Sequence, residues 1–497
     1  MKIVEVVISE IWFLVGSQHL YGPAVLEEVE SNGRTISQFW QQHLKVDLRF
    51  KGVVAKGDEV LDIMYKANAD NRCAGIVVWM HTFSPAQMWI NGLRILDKPL
   101  LHLHTQFTSD IPWSKIDMDY MNVHQSAHGG REFGFLTSKM DVNRKVLVGH
   151  WKDESVLEEI SSWMDVCRAW QSCRGMKIAR LGDNMREVAV TEGNKVSAHI
   201  QFGYSVDGYG MSSLVEEMES VTESEVMALV DEYEDSYHLG SSLLQGGIHR
   251  QHLKDAARIE LGLLRFLEGG GFSGFTDTFE NLTGLPQLPG IAVQRLMQRG
   301  YGFGAEGDWK TAALLRMIKV LGRDRSGGSS FMEDYTYDDM LGEGRVLAAH
   351  MLEICPSITS QTPSCEIHPL SIGGKDDPVR LVFDADPGPG INVSLIDLGH
   401  RFRMVVSEVE VEKTPEPLPV LPVARAYWRV KPSFHQGIEA WLLAGGGHHT
   451  CFSQQVSTGE MVDLAGMMDI ECLVIDEGLD LHRFRQDIRL NEVYFGR

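Results

Sequence analysis

Over roughly the first third of the chain, short apolar runs alternate with longer amphipathic stretches, the pattern of βαβ units on a parallel sheet. Ile11 to Val15, Val46 to Val54, Cys73 to Trp79 and Pro99 to His104 read as strands, and Pro23 to Leu44 and Asp58 to Ala69 as helices. Pro23 stands at a first-turn position, where a missing N–H costs nothing. Ligands of such sheets gather at the carboxyl ends of the strands. Two polar loops fall there: Ser17-Gln18-His19 after the first strand and His81-Thr82-Phe83 after the third.

A second alternating segment opens with the strand-like Lys177 to Gly182 and continues through helices at Thr222 to Glu234, Lys254 to Glu268 and Trp309 to Leu321. Thr222 followed by Glu225 is a capping-box start. Beyond the small-residue stretch Ser326 to Ser330 the period shortens to strands: Arg380 to Phe383, Asn392 to Ile396, Phe402 to Val406 and Glu471 to Ile475. The prolines 415, 417, 419 and 422 mark an extended crossing segment. The expectation is an α/β protein of three domains: two doubly wound parallel-sheet domains, 1–175 and 176–328, then a β-rich C-terminal domain, 329–497, with a small barrel as its arrangement.

Composition narrows the function. A chain of 497 residues with a formal net charge of -22 repels phosphate backbones and anionic lipid, and no basic patch offsets this. Seven cysteines (Cys73, Cys167, Cys173, Cys355, Cys365, Cys451, Cys472) form no tight pair, which fits a reducing cytoplasm. Met1 to Gly16 carries Glu5 and Glu10 within its apolar run and reads as a strand rather than a signal. No run of about 18 apolar residues occurs.

Candidate chemistry centres on two acids and several histidines. Glu306 lies in Gly304-Ala305-Glu306-Gly307-Asp308 and Glu333 in Phe331-Met332-Glu333-Asp334-Tyr335, so each is expected on a tight turn or a strand end. His350 ends the apolar run Val346 to Ala349, and His448-His449 follow three glycines. Two carboxylates and two imidazoles suit a divalent ion with open positions, and oxygen-rich ligation favours Mn²⁺ or Mg²⁺ over a thiolate zinc site. Spacing alone leaves ordinary roles open: Glu306 as a helix-capping acid, Glu333 as a solvated strand-end acid, and His350 as a hydrogen-bonded core histidine. The Tyr21, Trp79, Phe83, Trp89 and Phe107 aromatics fit a core as well as a sugar platform.

Longer blocks decide between these readings. Phe13 to Gly22, Trp79 to Ala86, Ala127 to Glu132, Gly182 to Val188, Gly304 to Thr311, Phe331 to Tyr337, Ile372 to Pro378 and Ala444 to Thr450, in this order, resemble the bacterial L-arabinose isomerase family. The resemblance implies two α/β domains followed by a domain containing a β-barrel, an architecture similar to the fucose isomerases. It implies a cytoplasmic enzyme that converts L-arabinose to L-ribulose, and D-galactose to D-tagatose, by a metal-stabilised enediol, with a metal-promoted hydride shift as the rival route. The metal, Mn²⁺, would be held by Glu306, Glu333, His350 and His449, with Glu306 and Glu333 also as base and acid. The sugar pocket would take Met185, Phe279, Ile372 and His448 from one subunit and Gln18, Leu20, Tyr21, Gln125 and His128 from its neighbour in a hexamer built as a dimer of trimers. A non-catalytic sugar-binding protein would need no acid pair, and an isomerase for another sugar would differ around Phe279 and Ile372. Departures from the family pattern fall around His238 to His249, Ser360 to His368 and at Gly447.

Overall fold

Strands that are apolar on both faces require cover on both faces, and the first part of the chain is built around two of them. The computed structural model describes residues 9–44, 47–370 and 374–496, and the chain divides into two compact units, the first ending at Gln171 and the second beginning at Ser172. In the first unit, β1 (Glu10–Gly16), β2 (Asp47–Val54), β3 (Cys73–Met80), β4 (Leu100–His104) and β5 (Lys145–Val148) form an all-parallel sheet in the order β2-β1-β3-β4-β5. β1 and β3 lie inside it and are buried at every position. The helices Pro23–His43 and Gly57–Ala69 stand where the periodicity predicts them. Val46, at the start of the second predicted strand, and the stretch before Ser9 lie outside the described residues. Strand order changes direction between β1 and β3, the point at which such sheets open a crevice. The two polar loops meet there, tied by a 2.9 Å hydrogen bond between the Ser17 and Thr82 hydroxyls.

The second unit contains two main sheets. β6 (Lys177–Leu181) and β7 (Ser205–Tyr209) pair with β9 (Gly274–Thr276) and β10 (Gly302–Gly304) in a parallel sheet ordered β10-β9-β6-β7. The short β8 (His238–Leu239) joins β13 (Ser364–Ile367) and β14 (Val379–Val382) in a small sheet of its own. β11 (Ser329–Asp338), β12 (Arg345–Ala349), β15 (Gly388–Asp397), β16 (Phe402–Glu412), β17 (Arg425–Val430), β18 (His449–Ser453) and β19 (Glu471–Ile475) form a mixed sheet ordered β15-β18-β11-β12-β17-β16-β19. β15 also pairs along its length with β16, so the hydrogen bonding of six strands returns to its start, with β19 attached in parallel outside that circuit.

The helix Trp309–Leu321 joins these two sheets. Every residue in it except Lys319 is buried, as expected for a helix with a sheet on each side rather than solvent on one. It packs on β9 and β10 and also on β11, β15 and β18. Its N-terminus therefore points to where the ends of two sheets come together. The predicted capping box is present at helix Glu223–Ser236, with Thr222 and Glu225 bonding reciprocally. Deeper in this unit, the buried Arg295 guanidinium holds the fully buried Glu260 at 2.9 Å, the Glu232 carboxylate at 2.6 Å and the Tyr237 hydroxyl at 2.9 Å.

Candidate metal centre

Glu306 lies on the turn from β10 into Trp309–Leu321. Gly304 allows the helix start to press against the strand end, because a Cβ there would lie 2.3 Å from the Asp308 carbonyl oxygen. Glu306 has φ +60° and Gly307 φ +87°, the left-handed region in which a non-glycine residue is strained. Two bonds hold the turn: Met185 N–H to the Glu306 carbonyl and Gly307 N–H to the Asp277 carbonyl, both 2.9 Å. The helix is capped by Asp308, which accepts from the amides of Lys310 and Thr311. Glu306 is thus free of the capping role.

Glu333 was expected at a turn or strand end but sits in the middle of β11. There it is opposed by His449 of β18 on one side and by Ala349 of β12 on the other, with His350 next in the chain. Strand register thus assembles three of the candidate groups. A register shift between Asp334 and Thr336 marks a bulge beside them, a common means of re-aiming side chains. Glu333 Oε1 lies 3.2 Å from His449 Nε2 and 3.5 Å from His350 Nε2, while Glu306 Oε2 lies 3.6 Å from His449 Nε2. His449 Nε2 is buried, yet it has a hydrogen bond to neither carboxylate. Each ring is held through its other nitrogen: His449 Nδ1 by Asp308 at 3.1 Å and His350 Nδ1 by Glu353 at 2.5 Å. Phe331 stands edge-on to both rings, with centroids at 5.1 and 5.2 Å.

The electrostatics follow from burial opposed by neighbours. Burial pushes the His350 and His449 imidazolium forms down, but the surrounding carboxylates (Glu353 and Glu333 for one; Asp308, Glu306 and Glu333 for the other) raise both above the ordinary histidine range. Burial raises the Glu333 carboxyl, and the imidazoles facing it more than offset this and leave it below the usual value. Asp308 is raised by burial and lowered further by the Lys310 ammonium at 3.0 Å and by His449, so it is held well below the carboxylate range. Asp277 has only burial and Glu353 acting upward, against a weaker effect of His350, and is pushed up to about 8.

The other predicted residues fall in three places. His448 lies beside the centre: among the described residues, ligand atoms of Glu306, His448 and His449 all lie within 4.8 Å of one another. Phe279 is buried, its ring nearly parallel to that of His350 at 6.1 Å, and Met185 bonds the Glu306 backbone. Ile372 lies outside the described residues. Gln18, Leu20, Tyr21, Gln125 and His128 belong to the first unit. Leu20 there is 82% exposed, and His128 bonds Gln125 at 3.2 Å and stacks on Phe83. Sequence reasoning missed Asp308, Glu353, Lys310 and Phe331 as parts of the site. The spacing of Glu353 three positions after His350 is the one local signal that could have marked any of them.

Carboxylates facing imidazoles, each ring anchored by a further carboxylate, make this an α/β protein with a centre of the kind that holds a divalent ion. Matches to family models for the L-arabinose isomerase N-terminal, central and C-terminal domains cover residues 5–175, 177–324 and 328–471. The chain belongs to the L-arabinose isomerase family. It is 53% identical to the L-arabinose isomerase of Anoxybacillus flavithermus over 98% of both chains, and 54% identical to that of Geobacillus stearothermophilus over 98% of both. It is 53% identical to the L-arabinose isomerase of Yersinia enterocolitica, again over 98% of each chain. The three matched segments correspond to the parallel sheet of the first unit, the parallel sheet of the second, and the mixed sheet up to the start of β19. No helix among the described residues is long and apolar enough to cross a membrane.

Proposed function

We propose that this protein interconverts L-arabinose and L-ribulose as an aldose–ketose isomerase and acts on D-galactose, giving D-tagatose, at the same site. The observation that carries the reading is His449 Nε2, buried and aimed at the Glu306 and Glu333 carboxylates without a hydrogen bond to either. Two carboxylates and two imidazoles without a thiolate fit a divalent ion, and Mn²⁺ is the one proposed. Glu306, Glu333, His350 and His449 would hold it, with His448 beside them. When bound, such an ion polarises a sugar carbonyl and offsets charge developing on oxygen.

Moving a carbonyl from C1 to C2 requires removal of a weakly acidic proton at the neighbouring carbon and its return one carbon along. Glu306 and Glu333 take these base and acid roles, the product of the first transfer being an enediol. Phe279, Met185, Ile372 and His448 line the sugar site, and Gln18, Leu20, Tyr21, Gln125 and His128 complete it from an adjacent subunit of a cytoplasmic hexamer. On the same reading the chain has three domains, 1–175, 176–328 and 329–497, and the six-strand circuit of the last is a barrel of the fucose isomerase-like type. The test is isomerisation of L-arabinose, D-galactose and L-fucose after EDTA treatment, with and without added Mn²⁺. Activity on L-arabinose restored by Mn²⁺ is the expected result; preference for L-fucose, or full activity in EDTA, would overturn the assignment.

A further inference from the structure

Two buried acids have no part in that scheme, yet each touches one of its imidazoles. Asp308 and Glu353 are both 1% exposed, as buried as the rings they contact. An imidazole has two nitrogens, and whichever one donates a proton to a fixed acceptor leaves the other with its lone pair. Here both acceptors meet Nδ1, at 3.1 and 2.5 Å, and in both rings Nε2 is the atom that faces Glu333 Oε1. The two arrangements come from unrelated local structure, a helix N-cap 141 positions from its histidine and an acid three positions after its own. Their common outcome is the same tautomer and the same ring orientation.

We propose that Asp308 and Glu353 are positioning residues that hold His449 and His350 with Nε2 toward the metal centre, and thereby set its affinity for a divalent cation. The inference rests on the metal reading given above. The two anchors differ in charge balance. Asp308 Oδ1 also meets the Lys310 ammonium at 3.0 Å, and that ammonium is itself gripped by the carbonyls of Val190, Thr191 and Glu192 at 3.0, 3.1 and 2.8 Å. Asp308 Oδ2 accepts from the Thr311 hydroxyl at 2.7 Å. Glu353 has no ammonium or guanidinium within ion-pair distance among the described residues. Its carboxylate, at 2.5 Å from His350 Nδ1 and acting only at longer range on the Arg380 guanidinium, makes that ring the stronger donor.

The experiment measures Mn²⁺ binding directly, by calorimetry and by the electron paramagnetic resonance of free Mn²⁺, on EDTA-stripped wild type, Glu353→Gln and Asp308→Asn. Both variants keep the size of the side chain and an acceptor oxygen, and Asn caps a helix as well as Asp does, so loss of the cap cannot imitate the effect. The expected result is Mn²⁺ affinity lowered about 10- to 100-fold in each variant, more for Glu353→Gln. The metal-free melting temperature of Glu353→Gln is unchanged or higher. Wild-type affinity in Glu353→Gln would overturn the claim that Glu353 sets the affinity of the centre, while leaving the metal reading intact. No Mn²⁺ binding by wild type would overturn both. Should Asp308→Asn fail to fold, Glu353→Gln decides alone, since it caps no helix.

Discussion

The left-handed backbone at Glu306 leads to a prediction whose sign runs against ordinary expectation. Replacing Glu306 by Ala or by Gly removes the same carboxylate, so the difference between the two variants reports the backbone alone. At φ +60° an L-residue bears about 1–2 kcal/mol of strain that Gly does not. Against this, Gly gives the unfolded chain extra freedom that costs about 0.5–1 kcal/mol. The net is about 0.5–1 kcal/mol in favour of Glu306→Gly. In a helix the same comparison would favour Ala by about 1 kcal/mol. Urea unfolding of both variants in EDTA is the assay, with the shift in midpoint converted at constant slope. Both variants should be inactive, and the Gly form should be the more stable. An Ala variant as stable as the Gly variant, or more so, would refute the idea that strain is stored at this turn to aim the Glu306 carboxylate.

Glu333→Gln and Glu306→Gln keep shape and a ligating oxygen but cannot accept a proton, so turnover at saturating Mn²⁺ should fall at least about a hundredfold. Because Glu333 lies within 4 Å of both proposed ligand imidazoles, His350 and His449, and Glu306 of His449 alone, the Glu333 variant should lose more Mn²⁺ affinity. Wild type run in D₂O should place solvent deuterium in the product, and near-normal turnover in either variant would remove that acid from proton transfer. Asp334, whose carboxyl burial pushes up to about 7, favours the protonated form when folded, so its cost to stability grows as pH rises from about 4 to about 7 and then levels off. Asp334→Asn should accordingly match wild type near pH 4 and exceed it above pH 7 by about 2–4 kcal/mol. Asn392 Oδ1, also without a partner, lines the same small cavity and can accept from the new amide; equal thermal stability at all pH values would contradict this. Arg295→Ala strips the fully buried Glu260 of its main partner and should cost about 3–5 kcal/mol in denaturant unfolding, and a loss under about 1 kcal/mol would show that Arg299, at 3.1 Å, carries the charge alone.

Local pattern was enough for some elements and not for their meeting, and β11, β12 and β18, which bring Glu333, His350 and His449 together, are not among the strands it assigns. Helix Trp309–Leu321 and strand Glu471–Ile475 have the bounds that periodicity assigns, because each is a sustained apolar run closed by clear breaks. Residues such as Glu333 and His449 are different. Nothing near either specifies the other; their contact exists because β11 and β18 pair antiparallel in one particular register, a consequence of how seven strands order themselves in the mixed sheet. The strand-end expectation for Glu333 failed for the same reason: an acid inside a strand looks like an edge until the neighbouring strands that bury it are known. Glu306 was legible in kind, as an acid on a glycine-flanked turn, and its positive φ is the price of reaching the other sheet. The helix buried between the two sheets explains why these signals converge at all. A segment apolar on every side must be enclosed, its N-terminus must emerge where both sheets end, and the acids Glu306 and Asp308 that open it are thereby delivered to the histidine that β18 supplies.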